Sequence, residues 1–99
     1  MAAADRLLRR VWPGRRRELV TALRQADGMV VSLRIYWNRG LEEVRGTLDA
    51  SEVDSTGVVQ IRSAEMTVSG DARYASDNLP VRVKDIRWVT ADGRQWGPF

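Results

Sequence analysis

Arginines crowd around Pro13-Gly14, and this cluster is the most distinctive chemical feature of the sequence. Its members are Arg9, Arg10, Arg15, Arg16 and Arg17. Guanidinium groups bind phosphate and carboxylate oxygens through paired hydrogen bonds, which suits a nucleic-acid backbone or an acidic protein surface. A GC-rich genome would also raise the arginine content, since 15 of the 16 basic residues are arginine. The alternative for the cluster itself is a solvated helical face.

The charge is unevenly distributed along the 99 residues. Through Arg24 there are seven arginines against Asp5 and Glu18, a net charge of +5, whereas the remaining residues carry nine basic and eleven acidic groups, a net of −2. We therefore expect nucleic-acid contacts at the N-terminal end of the chain.

A second candidate for binding chemistry is the pair Arg34 and Tyr36. The two residues alternate onto the same outward face of a predicted strand. An exposed aromatic ring with a nearby arginine is typical of sites that stack and clamp single-stranded nucleic acid. We therefore include both residues in the candidate nucleic-acid site.

The residue types argue against catalysis. The sequence has no histidine and no cysteine, so the common general base, the thiol nucleophile and the best transition-metal ligands are missing. Asp49, Glu52 and Asp54 could offer oxygens to a cation, but they lack the spacing of a calcium-binding loop. We predict a protein that is not an enzyme and uses no metal and no cofactor.

The segments that carry the arginines have the apolar spacing of helices. Apolar residues recur with helical spacing from Ala4 to Val11 and again from Leu19 to Ala26, and Gly28 marks the end. Pro13-Gly14 interrupts the pattern. Residues 1–27 are thus predicted to form a basic helical arm, either one kinked helix or two short ones.

The first part of this arm has more apolar surface than one short helix needs to bury. The residues concerned are Leu7, Leu8, Val11 and Trp12. We take them as a candidate interface, which would make the protein a homodimer.

From Met29 the hydrophobic period changes to two, which predicts strands separated by turns in residues 29–99. Met29 to Trp37 should turn alternate side chains inward, including Trp37. A change of parity near Ser63-Ala64 predicts a β-bulge. Residues 69–78 look like a long polar connection. Asp92-Gly93 predicts a tight hairpin that places Val89 opposite Trp96.

Taken together, the patterns predict one α+β domain over residues 1–99. The helical arm precedes a five-stranded antiparallel small barrel or strongly bent sheet; an open sheet with helices on one face is the alternative. No apolar run approaches the ~20 residues that span a bilayer, and no secretory signal pattern is present. With no cysteine, a reducing compartment is expected, and the cytoplasm is the default.

Four segments resemble small β-barrel proteins of the Sm-like group, roughly across residues 33–89. They are Tyr36-Trp37-Asn38-Arg39-Gly40, Val44-Arg45-Gly46-Thr47-Leu48, Gly57-Val58-Val59-Gln60-Ile61 and Leu79-Pro80-Val81-Arg82-Val83-Lys84-Asp85-Ile86. Within the SH3-like and Sm-like barrels the sequence is most similar to YolD-like proteins. That resemblance implies an association with error-prone DNA polymerases and DNA repair, whereas Sm-like barrels often bind RNA.

We therefore expect a non-enzymatic binding module associated with DNA or RNA, or accessory to a DNA polymerase or repair complex. The alternative is a protein–protein adaptor or oligomeric assembly component, of viral or mobile-element origin.

Overall fold

The fold is seen in a computed structural model that describes residues 14–37, 40–68 and 72–99. It begins with helix α1, Gly14–Gln25, whose inward side carries Leu19, Val20, Ala22 and Leu23. These positions follow the predicted helical spacing. Gly28, with φ 82°, then reverses the chain into the sheet, and its N–H donates to the Leu48 carbonyl at 2.8 Å.

A strongly bent, six-stranded antiparallel sheet follows the helix, which confirms the α+β prediction. The strands are β1 Val30–Trp37, β2 Gly40–Asp49, β3 Val58–Val68, β4 Ala72–Arg82, β5 Ile86–Ala91 and β6 Arg94–Trp96. A short helix α2, Val53–Thr56, links β2 to β3, and a 3-10 helix, Val83–Asp85, links β4 to β5. Across the sheet the order is β4-β3-β2-β1-β5-β6.

The concave side of the sheet holds the core. Val31, Leu33 and Ile35 of β1 are buried, as the alternation predicted, and α1 packs on the same core through Leu19 and Leu23. Trp37 was expected to point inward with them, but it is 46% exposed. Trp37 is the last residue of β1 and lies past the end of the core. The alternation of side chains continues to this residue, but the core does not extend far enough to bury it.

The predicted bulge is present in β3. The β2–β3 register shifts between Arg45 and Thr47, and Ser63 opposite this point has φ 50°. A Cβ on Gly46 would lie 2.6 Å from both the Arg62 carbonyl oxygen and Ile61 Cγ2. Strand β2 therefore requires glycine at position 46, because the backbone of β3 lies too close there for a side chain.

The prediction of a long polar connection at residues 69–78 is wrong for residues 72–78, which belong to a strand. Strand β4 begins at Ala72 and pairs with β3 from Val68↔Ala72 to Val58↔Arg82. Residues 73–78 are all exposed because β4 lies at the end of the sheet, beyond the core. A strand that lies beyond the core does not need alternating apolar residues. The polar sequence of this part of β4 was therefore interpreted as a loop.

The C-terminal residues return along β5. Asp92-Gly93 forms the predicted two-residue turn, and Val89 pairs with Trp96 as expected. Instead of the expected five strands, the described residues thus form six. Beyond β6 the Phe99 N–H donates to the Arg87 carbonyl at 2.9 Å, so the chain end follows the β5 edge as well.

Some predicted residues lie outside the described part of the chain. These are Arg9 and Arg10 of the basic cluster and the candidate interface residues Leu7, Leu8, Val11 and Trp12. Within the described ranges, no helix has the length and apolar character needed to cross a bilayer.

Candidate nucleic-acid interface

Three of the predicted arginines occupy the first turn of α1, but they do not share one environment. Arg15 and Arg17 are exposed, whereas Arg16 is half-buried and reaches across to the 3-10 helix. Its guanidinium donates to the carbonyl oxygens of Val83 at 2.8 Å, Lys84 at 2.6 Å and Ile86 at 3.3 Å. Arg16 therefore fastens the start of α1 to the turn between β4 and β5.

A second guanidinium reaches the same turn from β5. Arg87 Nη1 donates to the Lys84 carbonyl oxygen at 2.9 Å, so this oxygen accepts hydrogen bonds from both Arg16 and Arg87. Two positive groups thus meet at one acceptor, beside the single lysine of the chain. Converging donors of this kind are suited to a phosphate oxygen.

The electrostatics of the pair agree with its geometry. Burial lowers the pKa of Arg16, the neighbouring charge of Arg87 lowers it further, and Asp85 opposes both effects. The Asp85 carboxylate also accepts a hydrogen bond from Arg82 Nε at 3.1 Å. Because two positive charges are held together, an added anion would be favourable here.

Arg87 also connects this basic group to Tyr36. Its guanidinium carbon lies 5.8 Å from the centre of the Tyr36 ring, within the range of a cation–π contact. Tyr36 is 50% exposed, which leaves half of its surface available to a ligand. Tyr36 is thus an accessible aromatic ring that an arginine holds in place.

Arg34 lies two residues before Tyr36 on the outer side of β1 and is exposed. It pairs in register with Trp88 of β5 and Glu43 of β2. The Glu43 carboxylate accepts a hydrogen bond from Ser32 Oγ at 2.9 Å. Arg34 and Tyr36 therefore lie on the same strand, as predicted. Arg87 contacts this strand at Tyr36, close to the end of the strand.

Sequence reasoning missed Arg87. The β1–β5 register shifts between Arg34 and Ile35, where Arg34 pairs with Trp88 but Ile35 pairs with Ile86. Arg87 is the extra residue in this bulge, and the bulge turns it towards Tyr36. Local sequence patterns could not show this contact, because they do not specify which strand lies opposite β5 or in which register.

Other arginines are engaged with carboxylates. The three ion pairs seen in the described ranges join Arg24 to Asp54, Arg62 to Asp49 at 3.0 Å and Arg82 to Asp85 at 3.1 Å. Two hydrogen bonds from Ser51 and one from Arg62 lower the pKa of Asp49 to about 2. Among the same residues, no group of three or more potential metal ligands comes together.

Comparison with known proteins defines the fold. The sequence matches no protein-family model, and no relative is found among curated proteins. A heptameric archaeal Sm protein has a similar structure, with a TM-score of 0.55 and 21% identity over 72% of this chain and 96% of its own. The SmAP1 heptamer of P. aerophilum gives 0.55 and 21% over 72% and 88%.

A third similar structure contains RNA. The Sm protein of Pyrococcus abyssii, in complex with a uridine heptamer, gives a TM-score of 0.56 and 17% identity over 73% of this chain and 94% of its own. The chain has the Sm fold, as the resemblance to Sm-like barrels implied.

Proposed function

We propose that this protein is a non-enzymatic module that binds single-stranded nucleic acid, in particular RNA. The observation that carries the proposal is the convergence of Arg16 and Arg87 on the Lys84 carbonyl beside the half-exposed Tyr36 ring. A uridine heptamer bound to a protein of the same fold supports it.

The geometry offers two complementary contacts. A base can stack on the open part of Tyr36 or on the guanidinium plane of Arg87, as bases do on aromatic and arginine side chains. The neighbouring phosphates would then lie near Arg16, Arg87 and Lys84. Because stacking accepts any base and phosphates carry no sequence, we expect weak sequence preference.

The other arginines of the predicted cluster extend this surface. Arg15 and Arg17 are exposed in the first turn of α1, beside Arg16, and Arg34 is exposed on β1 next to Tyr36. We include all three as backbone contacts, together with Arg9 and Arg10 of the preceding segment. These arginines would supply further positive charge for the phosphates that flank a stacked base.

The resemblance to YolD-like proteins gives a narrower form of the same proposal. In that form the ligand is DNA and the protein assists a DNA polymerase or repair complex in the cytoplasm. Comparing single-stranded DNA with RNA separates the two forms, because only the RNA form predicts a preference for the 2′-hydroxyl.

The test is a binding titration across salt. A fluorescently labelled 15-nucleotide oligo(U) is titrated with the purified protein between 25 and 300 mM salt, in parallel with oligo(dT) and a duplex. Each phosphate that the protein neutralises on a single strand should contribute about −0.7 to the slope of log affinity against log salt. Absence of binding to both single strands at 25 mM salt would overturn the proposal.

A further inference from the structure

The two edge strands of the sheet differ in length. Strand β4 at one end has eleven residues, whereas β6 at the other has three. Within the described ranges, β4 pairs only with β3. Its other side therefore presents backbone N–H and C=O groups that another strand can use.

The edge of β5 is covered by its own chain. Strand β6 pairs with Val89, Thr90 and Ala91, and the Phe99 N–H donates to the Arg87 carbonyl. A ring of copies joined edge to edge needs two different open edges in each copy, whereas a two-fold dimer needs only one. The long β4 edge and the short β6 edge favour the dimer.

We infer that two copies of this chain join through antiparallel pairing of β4 with β4, about a two-fold axis at Ala75. In this register Arg73 of each copy lies opposite Asp77 of the other. Both residues are exposed in the single chain. The two-fold therefore creates two cross-strand ion pairs from one self-complementary segment.

Other registers fit less well. An axis between Leu79 and Pro80 would place Arg82 opposite Asp77, but Pro80 has no N–H to donate. In addition, Arg82 already bonds Asp85 at 3.1 Å. The Asn78 backbone is also occupied, since its N–H donates to Ser76 Oγ at 3.3 Å and its carbonyl accepts from that hydroxyl at 2.8 Å. Pairing is thus confined to residues 73–77.

The same register accounts for an exposed aromatic residue. Tyr74 is 63% exposed, more than any other large hydrophobic residue in the described part of the chain. In the dimer, Tyr74 of one copy lies opposite Ser76 and diagonal to Tyr74 of the other. Diagonal neighbours in a sheet are within reach of aromatic side chains, so both rings would be covered.

Sedimentation velocity across protein concentration tests this inference. The wild-type protein should dimerise, while Arg73→Asp or Asp77→Arg places like charges opposite at two points and should weaken the dimer about tenfold or more. The double variant Arg73→Asp/Asp77→Arg restores both pairs and should dimerise again. Tyr74→Arg is an independent disrupting variant, checked for folding by circular dichroism.

The control is Gln95→Pro, which blocks the β6 edge and should leave the dimer intact. A wild-type monomer at all concentrations would overturn the inference. So would a ring of more than two copies, a double variant that stays dissociated, or a dimer lost in Gln95→Pro. Nucleic-acid binding at Tyr36 is scored separately, so failure of one proposal does not decide the other.

Discussion

The guanidinium groups of Arg16 and Arg87 share one hydrogen-bond acceptor, the carbonyl oxygen of Lys84, at 2.6 and 2.9 Å. Arg16 comes from α1 and Arg87 from β5, so the contact joins the helix to the sheet. Arg87 also lies 5.8 Å from the centre of the Tyr36 ring. Structure and proposed binding thus depend on the same turn.

Arg16 is expected to contribute to stability as well as to binding. Arg16→Met keeps the apolar stem but removes three hydrogen bonds from a charged donor, which should lower the free energy of unfolding by about 1–3 kcal/mol. Urea denaturation measures this change in the free energy of unfolding. The exposed neighbour provides the control, since Arg15→Met should change stability by less than about 0.5 kcal/mol. Equal stability of the two variants would contradict the fastening role.

Gly46 is expected to tolerate no side chain. In Gly46→Ala the new Cβ would lie 2.6 Å from the Arg62 carbonyl oxygen, which belongs to the backbone of β3 and cannot swing away. We expect a loss of about 1–3 kcal/mol in the free energy of unfolding. Gly14→Ala, where nothing lies within 4 Å, is the matched control for thermal or urea unfolding. A Gly46→Ala protein as stable as wild type would show that the strands are less closely packed.

Asp49 should make stability depend on pH in acid. Its pKa is about 2 in the folded protein, against about 3.9 for an unperturbed aspartate. Between these values the unfolded chain takes up a proton that the folded chain does not, so stability falls as the pH falls. The stability difference between wild type and Asp49→Asn should be complete above about pH 5 and should shrink towards pH 2. A difference that is constant from pH 7 to pH 2, measured by urea unfolding, would contradict this.

Much of the fold could be predicted because the residues of a helix or strand that face the core are apolar and recur at the spacing of that element. The alternation of Val31, Leu33 and Ile35 predicted β1, and Asp92-Gly93 predicted the last hairpin. Strand β4 could not be predicted in this way. Residues 73–78 are exposed, so no burial pattern marks them as strand.

The candidate site was predictable only in part. Arg34, Tyr36 and the arginines of α1 were visible from charge and alternation, but their relation to one another was not. Arg87 reaches Tyr36 because a bulge shifts the register of β5 against β1. Arg16 reaches the 3-10 helix across 68 residues of sequence. Such contacts depend on tertiary packing, which local patterns do not specify.

The Tyr36 ring should matter for its stacking surface. Tyr36→Ala is expected to weaken binding of oligo(U) about fivefold or more, since stacking of one base on an aromatic ring contributes about 1–3 kcal/mol. Tyr36→Trp keeps an aromatic face and should retain most of the affinity. Fluorescence anisotropy measures both variants. Equal loss in both would mean that the hydroxyl or the local fold, and not the ring, is responsible.

The most direct test of the proposed interface compares two arginines that each lie over an aromatic ring. Arg87 lies 5.8 Å from the Tyr36 ring centre, and Arg94 lies 5.4 Å from that of Trp96 on the β6 hairpin. Each is changed to glutamine, and binding to oligo(U) is measured at 50 mM salt. We expect Arg87→Gln to weaken binding about fivefold or more and to lower the salt slope by about 0.7, while Arg94→Gln should bind as wild type does. Equal affinities of the two variants would contradict the proposed interface.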